Sequence, residues 1–184
     1  MTTRTLHATA ALLVTSALLS ACVSQKTYDQ QVQKANTYQQ LDNQLKGEVA
    51  ADQAQITQLQ GLVRVTLANG ILFPEGGWEL DAKGKATLAK LAPVLKTFTG
   101  QTIVIKGYTD NVPIGPELRQ RFPTNVDLSK ARAQSVANEL VAGGVPASMI
   151  TVTGLGEADP AAANDTAQGR AKNRRVVMDI VEAK

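Results

Sequence analysis

Apolar residues follow three rhythms along the chain. From residue 8 to 19 they run almost unbroken. Between 24 and 61 they recur in sevens, with Tyr28, Ala35, Asp42, Val49, Ile56 and Val63 in one position and Gln31, Tyr38, Leu45, Asp52 and Leu59 in the other. Eight of these eleven are apolar or small and no proline intervenes, which predicts a long helix. From residue 62 the pattern alternates instead. It predicts a strand over 62–67, a turn at Asn69-Gly70 and a short apolar run at 71–73. Asp81 is placed to cap a helix with the stripe Leu88, Leu91, Ala92, Leu95 and Phe98, and Pro93 should kink it. A strand over 102–108 follows, with Ile103 and Ile105 on one face. The next helix carries Ala133, Val136, Ala137, Leu140 and Val141 and stops at Gly143-Gly144. A strand over 149–153, a helical turn over 166–172 and a last strand over 174–181 complete the series, the last with Val176, Met178 and Ile180 on one face. The order strand, helix, strand, helix, strand, strand predicts an α+β domain over 62–184, a single sheet with helices packed on it.

The first apolar run reads as an export signal over 1–21. It follows Arg4, is too short to span ~30 Å of hydrocarbon as a helix, and ends in Leu19-Ser20-Ala21-Cys22. That tetrapeptide resembles the lipobox of bacterial lipoproteins, with cleavage before Cys22 and a lipid on its sulfur. The other reading is an ordinary secretory signal with an incidental Cys. Cys22 is the chain's one cysteine and sits directly behind the apolar run, which favours lipidation. Several acyl chains anchor stably at ~0.8 kcal/mol per buried methylene. Val23 follows the Cys where sorting by resemblance would need Asp for inner-membrane retention, so the outer membrane is expected. Cleavage would also remove His7, the one histidine. A mature chain without imidazole or free thiol excludes Ser-His-Asp and Cys-His catalysis and the usual zinc sites, so no catalytic residue, metal or cofactor is expected.

The segment over 22–61 is then a lipidated, helical tether. At ~1.5 Å per residue it would hold the domain up to about 50 Å from the membrane, with Gly47 a weak point. Gln31, Asp42 and Asp52 interrupt the seam, which leaves open whether the helix pairs as a coiled coil, with itself or another envelope protein, or stands as a solvated spacer. Net charge is +3 with a pI near 9.1, but acids and bases are interspersed, so no nucleic-acid partner is inferred. Aromatic residues are only 4% of the chain, which argues against a binder built on stacking.

Chemistry concentrates between Gly107 and Arg132. Asp110 falls just past the carboxyl end of a strand, where ligands commonly bind, although Asp-Asn is also ordinary turn chemistry. Ser129 reads as the cap of the next helix, with Leu128 stapling its entry, so Arg132 would stand in the first turn. A cation there opposes the helix dipole by ~0.3–1 kcal/mol and needs an anion. Either Asp110 or Asp127 supplies it internally, or a ligand carboxylate is gripped by two parallel hydrogen bonds.

The runs Gly107-Tyr108-Thr109-Asp110, Asn125-x-x-Leu128-Ser129-x-x-Arg132-Ala133, Gly154-x-Gly156 and Gly169-Arg170-Ala171-x-Asn173-Arg174-Arg175-Val176 together resemble the OmpA-like peptidoglycan-binding domain. The resemblance covers roughly 62–184 and implies a βαβαββ fold with one mixed sheet. It also implies that Asp110 receives the ammonium and Arg132 the carboxylate of diaminopimelate in the peptidoglycan stem peptide. Asn125 would hydrogen-bond the peptide or brace Arg132, while Thr109 and the backbone around Gly77 and Trp78 would line the groove. Two departures stand out. Tyr108 occupies a position where the family usually has His, and the connection over 111–124 is long and looks like the MotB-type branch.

Three further groups have a structural and a functional reading. The cluster Arg170, Lys172, Arg174 and Arg175 either binds phosphate or, as the family pattern implies, braces the last strand. Trp78 either stacks on a sugar or packs. Glu75, Glu79 and Asp81 could serve a cell-wall hydrolase as paired carboxylates, or surround a turn and a helix cap. The expected function is a non-enzymatic outer-membrane lipoprotein tethering the membrane to peptidoglycan. The alternative is an anchor subunit of a larger envelope machine.

Overall fold

The computed structural model describes residues 25–46, 54–59 and 62–182. The expected export signal over 1–21, Cys22 and Gly47 lie outside them. Helix α1 covers Gln25–Lys46 and strand β1 Ala54–Leu59, followed by β2 Leu62–Ala68, α2 Ala82–Leu95, β3 Gln101–Gly107, a short α3 Pro116–Arg119, α4 Asn125–Ala142, β4 Ile150–Gly154, α5 Ala167–Asn173 and β5 Arg175–Glu182. The five strands form one sheet in the order β1-β2-β5-β3-β4. β3 and β4 are parallel and the other neighbouring pairs antiparallel, so the sheet is mixed and the class α+β.

Alternation along the strands builds the core directly. Val63, Ile180 and Ile103 stand in one cross-strand row, and Val65, Met178 and Ile105 in the next. All six are buried and face α2 and α4. α2 presents the expected stripe of Leu88, Leu91, Ala92 and Leu95 and runs through Pro93 to end two residues later, with Phe98, also buried, lying beyond the helix. Asp81 caps it, its carboxylate accepting from the Gly84 amide at 2.7 Å. α4 ends in a Schellman pattern: the Val145 amide bonds the Leu140 carbonyl, the Gly144 amide bonds Val141, and Gly144 takes φ +93°. Val141, expected on the buried face, is 40% exposed.

The tether departs from expectation. Residues 54–59, placed by the heptad pattern in the helix, form an edge strand paired with β2, Ile56 opposite Val65. The pairing satisfies the outer backbone groups of β2, which a helix there would leave open. Helix α1 is also no free spacer where it is described. Leu41, off the predicted seam, is fully buried in the main core, and Tyr38 packs against the same cluster. The heptad count failed because burial against α2 and β1 selects Tyr38 and Leu41, three apart, in place of a self-pairing stripe.

On the other face of the sheet Asp179 is buried between two cations. Arg64 donates to it at 2.6 and 2.8 Å and Lys106 at 2.9 Å. Burial alone would raise the Asp179 pKa, but the hydrogen bonds from Arg64 and Lys106 hold it below the ordinary value.

Two predictions follow the packing. Leu41→Ala should destabilise the domain by ~2–5 kcal/mol in chemical denaturation, as for a core leucine; a freely solvated α1 would show almost no change. The Asp179 carboxylate, lowered in the fold, contributes stability that is complete above its unfolded pKa of about 3.9 and is lost as pH falls through the native value. Wild type should therefore lose stability on acidification below about pH 4, while Asp179→Asn, weaker at pH 7 by ~1–3 kcal/mol, should show a flatter profile there. Parallel acid profiles would remove Asp179 from the account.

Candidate functional site

The cleft that gathers the predicted residues is built where α4 meets the carboxyl ends of β3 and β4. Two glycines permit the contact. A Cβ on Gly107 would sit 2.0 Å from the Ser129 carbonyl oxygen, and one on Gly154 would sit 2.4 Å from that of Val126. With no side chain in the way, α4 rests backbone to backbone on the strand ends. Ser129 is fully buried there, and its hydroxyl accepts from the Gly156 amide at 2.9 Å. The Gly156 carbonyl accepts from the Thr109 amide at 2.7 Å, which closes a short chain of bonds from α4 to the segment bearing Asp110.

Ser129 is therefore not the helix cap. Thr124 is, in a reciprocal box with Asp127: the Thr124 hydroxyl accepts from the Asp127 amide at 3.2 Å and the Asp127 carboxylate from the Thr124 amide at 3.0 Å. α4 consequently starts at Asn125 and Arg132 stands in its third turn, beyond the reach of the helix-start dipole. The Thr124-x-x-Asp127 spacing was visible in the sequence; Ser129 drew the cap because an apolar residue precedes it.

Arg132 remains unusual for a different reason. It is 7% exposed, yet pairs with neither of the proposed internal anions. Asp127 is held in the capping box, and the Asp110 carboxylate takes Arg174 at 2.6 Å. The Arg132 Nε donates to the Gly77 carbonyl at 2.8 Å and its guanidinium lies 5.8 Å from the Phe73 ring. Among the described residues its two terminal nitrogens have no hydrogen-bond acceptor. Burial, with the neighbouring Arg174 charge, lowers its pKa to about 10 against the pull of Asp110, so it stays protonated at neutral pH.

Thr109, Asp110, Asn125, Leu128 and Arg132 all line one cleft of about 900 Å³. Asp110 is also buried, and its second oxygen accepts from the Val112 amide at 3.1 Å, so turn chemistry and site placement hold together. Asn125 does not brace Arg132; its amide donates to the Val112 carbonyl at 3.2 Å and pins the 111–124 connection. Gly77 and Trp78 stand behind the cleft. Their carbonyls accept from Arg132 and Ser135, and the Trp78 ring packs edge-on to Phe122 with Arg121 stacked 4.7 Å over it. Trp78 is a packing residue in a second small core of Ile114, Phe122 and Leu128.

The basic cluster divides. Arg175 lies 3.8 Å over the Tyr108 ring and donates to the Asp159 carbonyl, and Arg170 donates to the Asn164 carbonyl, so both brace. Arg174 instead belongs to the site as the partner of Asp110. The sequence showed Arg174 only as one of four clustered cations, without a partner sixty-four residues away. Of the three acids weighed for hydrolysis, Asp81 is committed to its cap.

Residues 72–174 match the OmpA family. The chain belongs to the OmpA family. It is 35% identical over 136 residues to the probable lipoprotein YiaD of Escherichia coli K12, covering 74% of this chain and 59% of that one. It is 39% identical over 122 residues to the peptidoglycan-binding protein ArfA of Mycobacterium tuberculosis, covering 66% of this chain and 35% of that one. The chain thus spans less than two thirds of the length of either relative. Among solved structures, the cell wall anchor of the T6SS from Pseudomonas aeruginosa superposes with a TM-score of 0.69 at 30% identity, over 78% of this chain and 97% of that one.

The cost of burying Arg132 is testable without a ligand. A cation with a lowered folded pKa disfavours the fold at neutral pH, and that penalty is relieved only as pH rises through about 10. Arg132→Leu should therefore leave the melting temperature unchanged or raise it, by up to ~1–4 kcal/mol in stability. A loss above about 1 kcal/mol would mean that Arg132 serves the fold.

Proposed function

We propose that this OmpA-family chain is a non-catalytic peptidoglycan-binding lipoprotein, gripping the free zwitterionic end of diaminopimelate between Asp110 and Arg132. The observation that carries the reading is a buried guanidinium with two uncommitted nitrogens beside a buried carboxylate in one cleft. A carboxylate on the Arg132 fork would satisfy both nitrogens in parallel, and an ammonium would join Arg174 at Asp110. Thr109, Asn125 and Leu128 form the surrounding wall, with Gly77 and Trp78 holding Arg132 and Ser135 from behind. The names of the relatives, a peptidoglycan-binding protein and a probable lipoprotein, agree with the reading. Lipid on Cys22 would anchor the chain in the outer membrane and so tie membrane to wall.

The similarity to a cell wall anchor of a secretion system supports a second reading, an anchor subunit of a larger envelope machine. Both readings share the cleft and differ in partner. Other envelope proteins co-purifying with the lipidated chain, and lost when the exposed Tyr28 and Val32 of α1 are replaced by charged residues, would favour the machine.

Purified sacculi should retain the wild-type chain and release it when free diaminopimelate is added. Asp110→Ala and Arg132→Ala should each lower retention at least tenfold, since a tenfold change is only about 1.4 kcal/mol and either variant leaves one charge of the ligand unpaired. Equal retention by both variants would sink the assignment, and soluble fragments released from the sacculi by wild type would restore a hydrolase.

A further inference from the structure

The proposed ligand accounts for the buried opposed charges of Asp110 and Arg132 but not for the buried neutral groups of the cleft. Asn69, read from sequence only as a turn residue, is 6% exposed and lines the same cleft as Asp110. Among the described residues neither its Nδ2 nor its Oδ1 has a partner, and the buried Thr109 hydroxyl is likewise unpartnered. The backbone of Asn69 is fully used, its amide donating to the Arg174 carbonyl and its carbonyl accepting from Leu72 and Phe73. The side chain alone is left over.

Asn173 shows what a structural asparagine looks like in this fold. At 1% exposure its amide group makes three bonds, accepting from the Ala162 amide and donating to the Ala162 carbonyl and Asn164 Oδ1 at 2.8–2.9 Å. Buried amides without partners are costly, so a wholly unpaired one in the wall of a cleft is left for what the cleft receives to satisfy. A carboxamide offers one acceptor beside a donor. A lone carboxylate would satisfy only its donor and an ammonium only its acceptor, whereas another amide satisfies both.

We propose that Asn69, with the Thr109 hydroxyl, is a specificity residue that hydrogen-bonds an amide of the ligand, so the cleft takes a peptide-bonded zwitterion in preference to a free amino acid. This rests on the diaminopimelate reading and adds to it a second recognition element on the β2–α2 connection. Asn69 acts on the peptide part of the ligand, Asp110 and Arg132 on its charged end.

The test titrates the full chain, purified in detergent, with two probes: free meso-diaminopimelate, which carries no amide, and the stem tripeptide ending in diaminopimelate. Wild type should bind the tripeptide more tightly. Asn69→Leu, similar in shape and without polar atoms, should weaken tripeptide binding about tenfold, change diaminopimelate binding less than twofold, and melt no lower than wild type; Asn69→Ala serves as the second variant where leucine does not pack. Unchanged tripeptide binding in both variants, or equal loss for both probes, overturns the role of Asn69 while leaving the Asp110–Arg132 site standing. Wild type that binds neither probe overturns the diaminopimelate reading, and the amide proposal with it.

Discussion

The backbone contact of α4 with the ends of β3 and β4 is the constraint on which the site depends. Any side chain at Gly107 or Gly154 would collide with main-chain oxygens of the helix. Because these oxygens belong to the first two turns of α4, a collision would displace the helix as a whole; no single rotamer change would relieve it. The parallel β3–α4–β4 crossover thus delivers Arg132 from the helix and Asp110 from the strand end to one cleft. The bonds through Ser129, Gly156 and Thr109 then fix their spacing on packed elements, as a site of two opposed charges requires.

Within that frame the charges are unequal. Asp110 has Arg174, so the unliganded cleft is internally neutral at that point, whereas Arg132 carries a buried charge whose one hydrogen bond among the described residues goes to the Gly77 carbonyl. The two cations repel across the same carboxylate, which is one of the influences lowering Arg132. An arrangement of this kind is poor for stability and well suited to an anion. The proposed zwitterion brings each of its charges to a group of opposite sign, and that pairing offsets the cost of desolvating both.

The sequence made the main sheet legible because β2 and β3 alternate buried with half-buried positions, while β5, buried on both faces over its first six residues, shows as a run rich in Val, Met and Ile. The cap at Asp81 and the stop at Gly143-Gly144 were legible because both are local chemistry. What stayed hidden depended on distant partners. β1 is an edge strand with weak burial, and the same residues count as well for a heptad as for alternation. The Asp110–Arg174 pair joins two motifs far apart in sequence, and Asn69 resembles any Asn-Gly turn until its burial is known. Arg132 was singled out on a wrong premise, its distance from the helix start, and holds its place for its desolvation instead.

The long connection over 111–124 decides what kind of recognition the cleft can perform. It is held rather than loose: Ile114, Phe122 and Leu128 form a core of their own, Arg119 donates to the Ile114 carbonyl at 2.8 Å, and Asn125 fixes Val112. That small core also takes in Trp78, with Phe122 against the ring edge and Arg121 over its face. The chain's one tryptophan is thereby withdrawn from the cleft, where a sugar ring would need it. What remains on the wall beside Asp110 and Arg132 is mixed: charged and amide side chains, aliphatic groups and the buried Phe73, whose ring lies by the Arg132 guanidinium. Under the proposed peptidoglycan reading, the connection takes the tryptophan away from any sugar and leaves the opposed charges of Asp110 and Arg132 as the chemistry that distinguishes the cleft.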